Sequence, residues 1–66
     1  MYPDYLQKSI KEMEQEWTAY DSGKKKAPDP ITWAGLSDDI TFAFSRGEIT
    51  LDEVKELQEK HLRIKF

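Results

Sequence analysis

SRGEITLDEV, residues 45–54, is the stretch of sequence that decides the fold. Thr50 and Glu53 are spaced to form a capping box, in which the threonine oxygen accepts the Glu53 amide and the Glu53 carboxylate accepts the Thr50 amide. Ile49 precedes this cap, where an apolar residue packs on the first helical turn as a hydrophobic staple. Gly47 suits the left-handed conformation that ends a preceding helix. The stretch therefore predicts a corner at which one helix ends and another begins.

The remainder of the chain is short and polar. Its 66 residues carry a formal net charge of -3, 35% charged residues and no cysteine. We expect a single small domain over residues 1–66 with a marginal core, because a chain of this size buries only about 60% of its unfolded surface. No apolar run approaches the roughly 20 residues of a membrane span, and the start has no signal-peptide pattern. We therefore expect a soluble cytoplasmic protein.

The first helix is predicted from Asp4 to Asp21. Its apolar residues recur at spacings of three and four, which form one stripe on an α-helix. The members of that stripe are Leu6, Ile10, Met13, Trp17 and Tyr20. Gly23 favours a left-handed cap after this helix. Residues 22–30, with three lysines and two prolines, are predicted to be the loop that joins it to the rest.

The middle of the chain is ambiguous. Asp29 and Pro30 favour a helix start, but Gly35 leaves open whether the turns after Pro30 continue into the next segment. Residues 37–45 have helix-start signals, whereas residues 40–44 also alternate like a strand. We favour an all-α bundle of three or four short helices, with α+β as the alternative. The last helix is predicted from Leu51 to about Leu62. The predicted core is Trp17, Trp33, Ile40, Phe44, Val54 and Leu57.

Two metal-binding interpretations, one of the corner and one of His61, fail on residue chemistry. Gly47, Ile49 and Glu53 have the spacing of the sixth, eighth and twelfth positions of an EF-hand. The first, third and fifth positions would be two phenylalanines and an arginine, so the carboxylates that Ca²⁺ needs are missing. His61 is the single histidine, and without cysteine it has no partners for a zinc site. We expect no metal, no cofactor and no enzyme activity.

The corner also has the layout of a helix-turn-helix, with Gly47 in the turn. The helix that would read DNA carries Asp52, Glu53, Glu56 and Glu59, and this acidic surface would repel phosphates. Direct nucleic-acid binding is therefore disfavoured.

Phe42 is the residue that most favours partner binding. If Ile40 and Phe44 face the core, Phe42 lies about 200° away from Ile40 around the helix. It then shares a face with Asp38, Ser45 and Arg46. An exposed aromatic ring surrounded by charges is typical of an interface anchor. The alternative is that Phe42 is buried beneath the segment that contains Trp33.

The sequence predicts a non-enzymatic protein–protein interaction module that binds a protein partner or itself through an acidic and aromatic surface. The candidate residues are Trp33, Asp38, Asp39, Phe42, Arg46, Asp52, Glu53 and Glu56. One alternative is an acidic inhibitor, encoded by a phage or mobile element, that blocks a nucleic-acid-handling protein. A DNA-binding regulator is the second alternative.

The residues Gly47-Glu48-Ile49-Thr50 followed by Glu53 resemble the corner of small helical hairpins, including short C-terminal oligomerisation domains. The layout as a whole is similar to small proteins of mobile elements in Gram-positive bacteria. Neither resemblance assigns a role to any residue of this chain.

Overall fold

The computed structural model describes residues 2–65, which form three helices and no strand. These are α1 (Asp4–Asp21), α2 (Pro30–Ser45) and α3 (Leu51–His61). The predicted all-α class and the bounds of the first helix are confirmed. Residues 40–44 are helical, so the α+β alternative is wrong.

The corner at residues 46–50 has the predicted chemistry. Gly47 is left-handed, with φ of 74°, and the Glu48 amide donates to the Ala43 carbonyl at 2.9 Å. Both capping-box bonds are present: Glu53 N donates to Thr50 Oγ1 at 3.2 Å, and Thr50 N donates to Glu53 Oε1 at 2.9 Å. These local bonds satisfy backbone groups that the ends of α2 and α3 would otherwise leave unpaired.

Helix α2 runs without interruption through Gly35. Asp29 caps its start by accepting the Ile31 amide at 3.0 Å, and Pro30 occupies the first helical position. A glycine inside a helix costs about 1 kcal/mol relative to alanine. The caps at both ends, together with the burial of Leu36 and Ile40, outweigh that cost.

The helices run up, down and up, so that α1 and α3 are parallel and α2 is antiparallel to both. Ser9 of α1 bonds Asp39 of α2, and the Asp29 amide at the start of α2 donates to Glu16 near the end of α1. The buried residues at the centre come from all three helices and the segments that follow α2 and α3. They are Leu6, Met13, Leu36, Ile40, Ala43, Ile49, Leu57 and Leu62.

The predicted core is correct in part. Ile40 and Leu57 are buried, while Trp17, Trp33 and Val54 are partly buried and pack against the centre. The prediction for Phe44 is wrong, because 45% of this residue is exposed. The buried stripe of α2 passes through Leu36, Ile40 and Ala43, and Phe44 lies about 100° beyond Ala43.

The segment after α3 contains an unusual backbone. The helix ends at His61 with Leu62 as its C-cap, and Arg63 is left-handed with φ of 54°. The Ile64 amide then donates to the Gln58 carbonyl at 3.1 Å, which turns the chain back over the end of α3. Within residues 2–65, no helix has the length and apolar character needed to cross a membrane.

Candidate protein-interaction surface

Helix α2 differs from its neighbours in the residues that it exposes to solvent. The side of α2 opposite the core is the outer face of α2, and its residues are exposed. They are small, apolar or hydroxyl-bearing, apart from a single carboxylate. These are Ile31, Ala34, Gly35, Asp38, Thr41, Phe42 and Ser45. The exposed residues of α1 and α3 are predominantly charged. A helix that is apolar on both sides usually has a second packing partner.

Phe42 is the largest side chain on the outer face of α2, and half of it, 50%, is exposed. Phe42 packs edge-to-face against Tyr5 of α1. The two ring centroids are 5.8 Å apart, and the ring planes make an angle of 66°. The guanidinium carbon of Arg46 lies 5.3 Å from the centroid of the Phe42 ring. Two contacts therefore hold the ring in place while it remains open to solvent.

A short polar network supports this aromatic pair. The Tyr5 hydroxyl donates to Glu48 Oε1 at 2.8 Å, and Arg46 Nε lies 3.1 Å from the same oxygen. Partial desolvation, followed by the hydrogen bond to Glu48, raises the pKa of Tyr5 above its ordinary value. Tyr5 therefore stays a neutral donor at physiological pH, and Glu48 orients both Tyr5 and Arg46 around Phe42.

The structure brings three of the predicted site residues together on one stripe. Asp38, Phe42 and Arg46 follow each other at intervals of four residues, and all three are exposed. Asp39 lies on the neighbouring side of α2, where its carboxylate accepts the Ser9 hydroxyl at the contact with α1. Asp39 thus contributes to helix packing, whereas Asp38 is free to meet a partner.

Trp33 lies away from this stripe. Its indole Nε1 donates to the carbonyl oxygen of Leu62 at 3.1 Å, so the side chain reaches across the core to the end of α3. Trp33 and Phe42 point to different parts of the molecule. The sequence left open whether Phe42 lies beneath the Trp33 segment, and the structure shows that it does not.

The predicted acidic residues Asp52, Glu53 and Glu56 lie on α3, a different helix from Phe42. The carboxylate of Glu53 is engaged in the capping box. Burial raises the pKa of the Tyr2 hydroxyl, and the nearby carboxylates of Glu56 and Glu53 raise it further. Asp52 and Glu56 are exposed on a helix that also exposes Lys55. This face of α3 therefore has mixed charge.

Sequence reasoning missed three contributors to the surface, which are Tyr5, Glu48 and Ile31. Tyr5 and Glu48 act by holding Phe42 and Arg46, and no pattern in the sequence signals contacts between such distant positions. Ile31 is 80% exposed. Its signal was present in the composition of α2, in which apolar residues occupy every side of the helix.

The described part of the chain, residues 2–65, contains no group of three or more histidine, cysteine or carboxylate side chains that could hold a metal ion. His61 faces Glu14 across the α1–α3 groove, with 3.9 Å between Nδ1 and Oε1. Burial lowers the pKa of His61, and the attraction of Glu14 opposes this effect. The outer face of α2 and the adjoining C-cap residue Arg46 together expose apolar area, one carboxylate and one guanidinium.

Comparison with known proteins identifies no matching family model, no similar curated protein and no similar solved structure.

Proposed function

We propose that this chain is a non-enzymatic protein–protein interaction module whose binding surface is the outer face of α2. One observation carries the proposal: the outer face exposes Ile31 and Phe42 along a helix that has Asp38 as its single exposed charge. Exposed apolar side chains along one side of a helix are typical of surfaces that bind a partner.

Phe42 is the proposed anchor of the surface. Aromatic residues that are held in place lose little conformational freedom on binding, and they dominate the energy of many interfaces. Tyr5 and Arg46 already fix the ring. Full burial of a phenylalanine side chain contributes about 1.5–3 kcal/mol. Phe42 is therefore expected to contribute more to the free energy of binding than any other single residue on this face.

The shape of the outer face suits a helix or an extended segment of protein. Ala34 and Gly35 form a low region about two helical turns before Phe42, and nothing lies within 4 Å of a β-carbon built on Gly35. Small residues allow a second backbone to approach closely. Asp38 and Arg46, on either side of Phe42, supply charges that select the orientation of the partner. The lack of cysteine fits a reducing compartment, and we propose that the module acts in the cytoplasm.

Photo-crosslinking tests the proposal directly. A benzophenone-bearing phenylalanine analogue is placed at position 42, and in a matched control at Lys55, which is exposed on α3. Both proteins are produced in the source cells and irradiated. We expect covalent protein adducts from position 42 and none from position 55. Equal labelling from the two positions, or no adduct from position 42, contradicts the proposal.

A further inference from the structure

We infer that the outer face of α2 binds a second copy of this chain, as an antiparallel dimer with its two-fold axis beside Phe42. This inference rests on the proposed function and names its partner. Two-fold dimers are the commonest protein assemblies, and their interfaces are self-complementary: if one residue contacts a second, the second contacts the first. The surface around Phe42 has this property.

Two charges are placed symmetrically about Phe42, one on the outer face of α2 and one at the C-cap that follows it. Asp38 lies four residues before Phe42 and Arg46 four residues after it, so each is about 6 Å along the chain direction from the ring. Both belong to the same stripe, because residues four apart share one side of a helix. An acidic group and a basic group therefore flank one aromatic ring.

A two-fold axis beside Phe42 converts this arrangement into complementary pairs. When α2 packs antiparallel on its copy, position 38 of one chain lies opposite position 46 of the other. Asp38 then meets the partner's Arg46, and Arg46 meets the partner's Asp38, on either side of two stacked Phe42 rings. The interface gains two ion pairs and an aromatic contact from three residues.

Other registers lose this complementarity. An axis beside Asp38 would bring the two Asp38 carboxylates together, and like charges placed against each other at an interface repel. In a parallel, in-register arrangement, Asp38 would face the partner's Asp38, and Arg46 would face the partner's Arg46. The charge pattern thus selects the antiparallel register centred on Phe42.

Arg46 is oriented for this role within one chain. It pairs with Glu48 through Nε at 3.1 Å, and 59% of its side chain is exposed. Because a guanidinium has five N–H donors, the ion pair with Glu48 leaves the terminal nitrogens able to bind a second carboxylate. The position of the guanidinium over the Phe42 ring keeps these donors close to the axis.

Charge exchange tests the inference. Asp38→Arg and Arg46→Asp are made separately, and sedimentation velocity measures self-association of each. The wild-type chain is expected to be dimeric, and each variant to dissociate with a dissociation constant at least about 10-fold higher, because each dimer would contain two like-charged pairs. When the two variants are mixed, the two arginines that one chain carries at positions 38 and 46 face the two aspartates of the other. The mixture is expected to form a heterodimer as tightly as wild type, within about a few-fold.

Glu59→Arg is the matched control, since it exchanges an acidic for a basic side chain at an exposed position of α3 away from the surface. It should associate as wild type does. Circular dichroism checks that every variant retains its helices.

A second measurement, disulfide formation, tests the same register without the Arg46→Asp substitution, which could alter the turn at Gly47. The natural chain lacks cysteine, so Asp38→Cys and Arg46→Cys chains of different length can be mixed and oxidised. The disulfide between positions 38 and 46 should form faster than either homodimeric disulfide. A monomeric wild-type chain, a charge-exchange mixture that stays monomeric, or equal disulfide rates overturn the dimer. Adducts from position 42 to a different protein would then still support the proposed function, whereas their absence would remove both.

Discussion

The indole Nε1 of Trp33 lies 3.1 Å from the carbonyl oxygen of Leu62, across the core from its own helix. Trp17 of α1 donates in the same way to the preceding carbonyl, that of His61. The last carbonyls of a helix have no partner within the helix. Two tryptophans from two other helices therefore satisfy the carbonyls of His61 and Leu62 at the carboxyl end of α3 and join all three helices there.

Removal of the Trp33 donor should destabilise the fold without opening a cavity. Replacement of Trp33 by 3-benzothienylalanine, accessible by synthesis of this short chain, keeps the bicyclic shape and removes the N–H group. We expect a loss of about 1–2 kcal/mol, because the carbonyl of the buried Leu62 is left without its donor. Urea denaturation measures the difference. The same replacement of the N–H at Trp17 should have a similar effect, and unchanged stability for both would show that the bonds contribute nothing.

These tryptophan bonds show where prediction from sequence ends. The corner at Gly47 and Thr50 was predicted correctly because its bonds join residues at most five apart. The bonds from Trp17 and Trp33 span 44 and 29 residues. Their partners are backbone carbonyls, which carry no sequence signal, so only the packed structure reveals them.

The candidate site divides in the same way. Periodicity alone placed Phe42 with Asp38 and Arg46 on one side of α2, and the structure has them there. The exposure of Phe44 could not be deduced, since it depends on where α1 and α3 lie around α2. The support that Tyr5 and Glu48 give to Phe42 depends on the same tertiary arrangement.

Arg63 combines an unfavourable backbone with two side-chain contacts, and substitutions can separate them. Its guanidinium binds the Asp21 carboxylate through two nitrogens, at 2.9 and 2.7 Å, and lies 4.1 Å from the centroid of Trp17. Arg63→Ala loses these contacts and retains the left-handed backbone, while Arg63→Gly loses the contacts and relieves the backbone. Since the left-handed conformation costs residues with a β-carbon roughly 1 kcal/mol, we expect the glycine variant to be more stable than the alanine variant by about that amount. Equal melting curves would contradict this.

Two glycines should respond in opposite directions to alanine. Gly47 has φ of 74°, so Gly47→Ala should destabilise the protein by about 1 kcal/mol. Gly35 lies inside α2 with open space around it, and Gly35→Ala should stabilise the protein by about 0.5–1 kcal/mol. Thermal denaturation of both variants at the same low protein concentration measures the pair. Stabilisation by Gly47→Ala would be inconsistent with the left-handed corner.

The capping box can be tested separately from the glycine corner. Thr50→Ala removes the oxygen that accepts the Glu53 amide, and an N-cap of this type contributes about 1 kcal/mol. Thr41→Ala is a suitable control, because Thr41 is exposed within α2 and its hydroxyl bonds only to the Ser37 carbonyl of its own helix. Urea denaturation should show a loss for Thr50→Ala and little change for Thr41→Ala. A loss of equal size in both variants would indicate a general effect of threonine removal.

Stability should fall as the pH falls through the range in which His61 titrates. Burial lowers the pKa of His61 in the folded chain, whereas the unfolded chain keeps the ordinary value of about 6.5. Above that value the histidine is neutral in both states and its contribution to stability is complete. Below it, the unfolded chain binds the proton more tightly, so the contribution is lost as the pH falls toward the lower pKa of the folded chain. Denaturation of wild type and His61→Gln at several values between about pH 7.5 and 5.5 should show a steeper loss for wild type. The variant keeps the backbone carbonyl that accepts the Trp17 indole, so parallel curves would mean that His61 is not the group responsible.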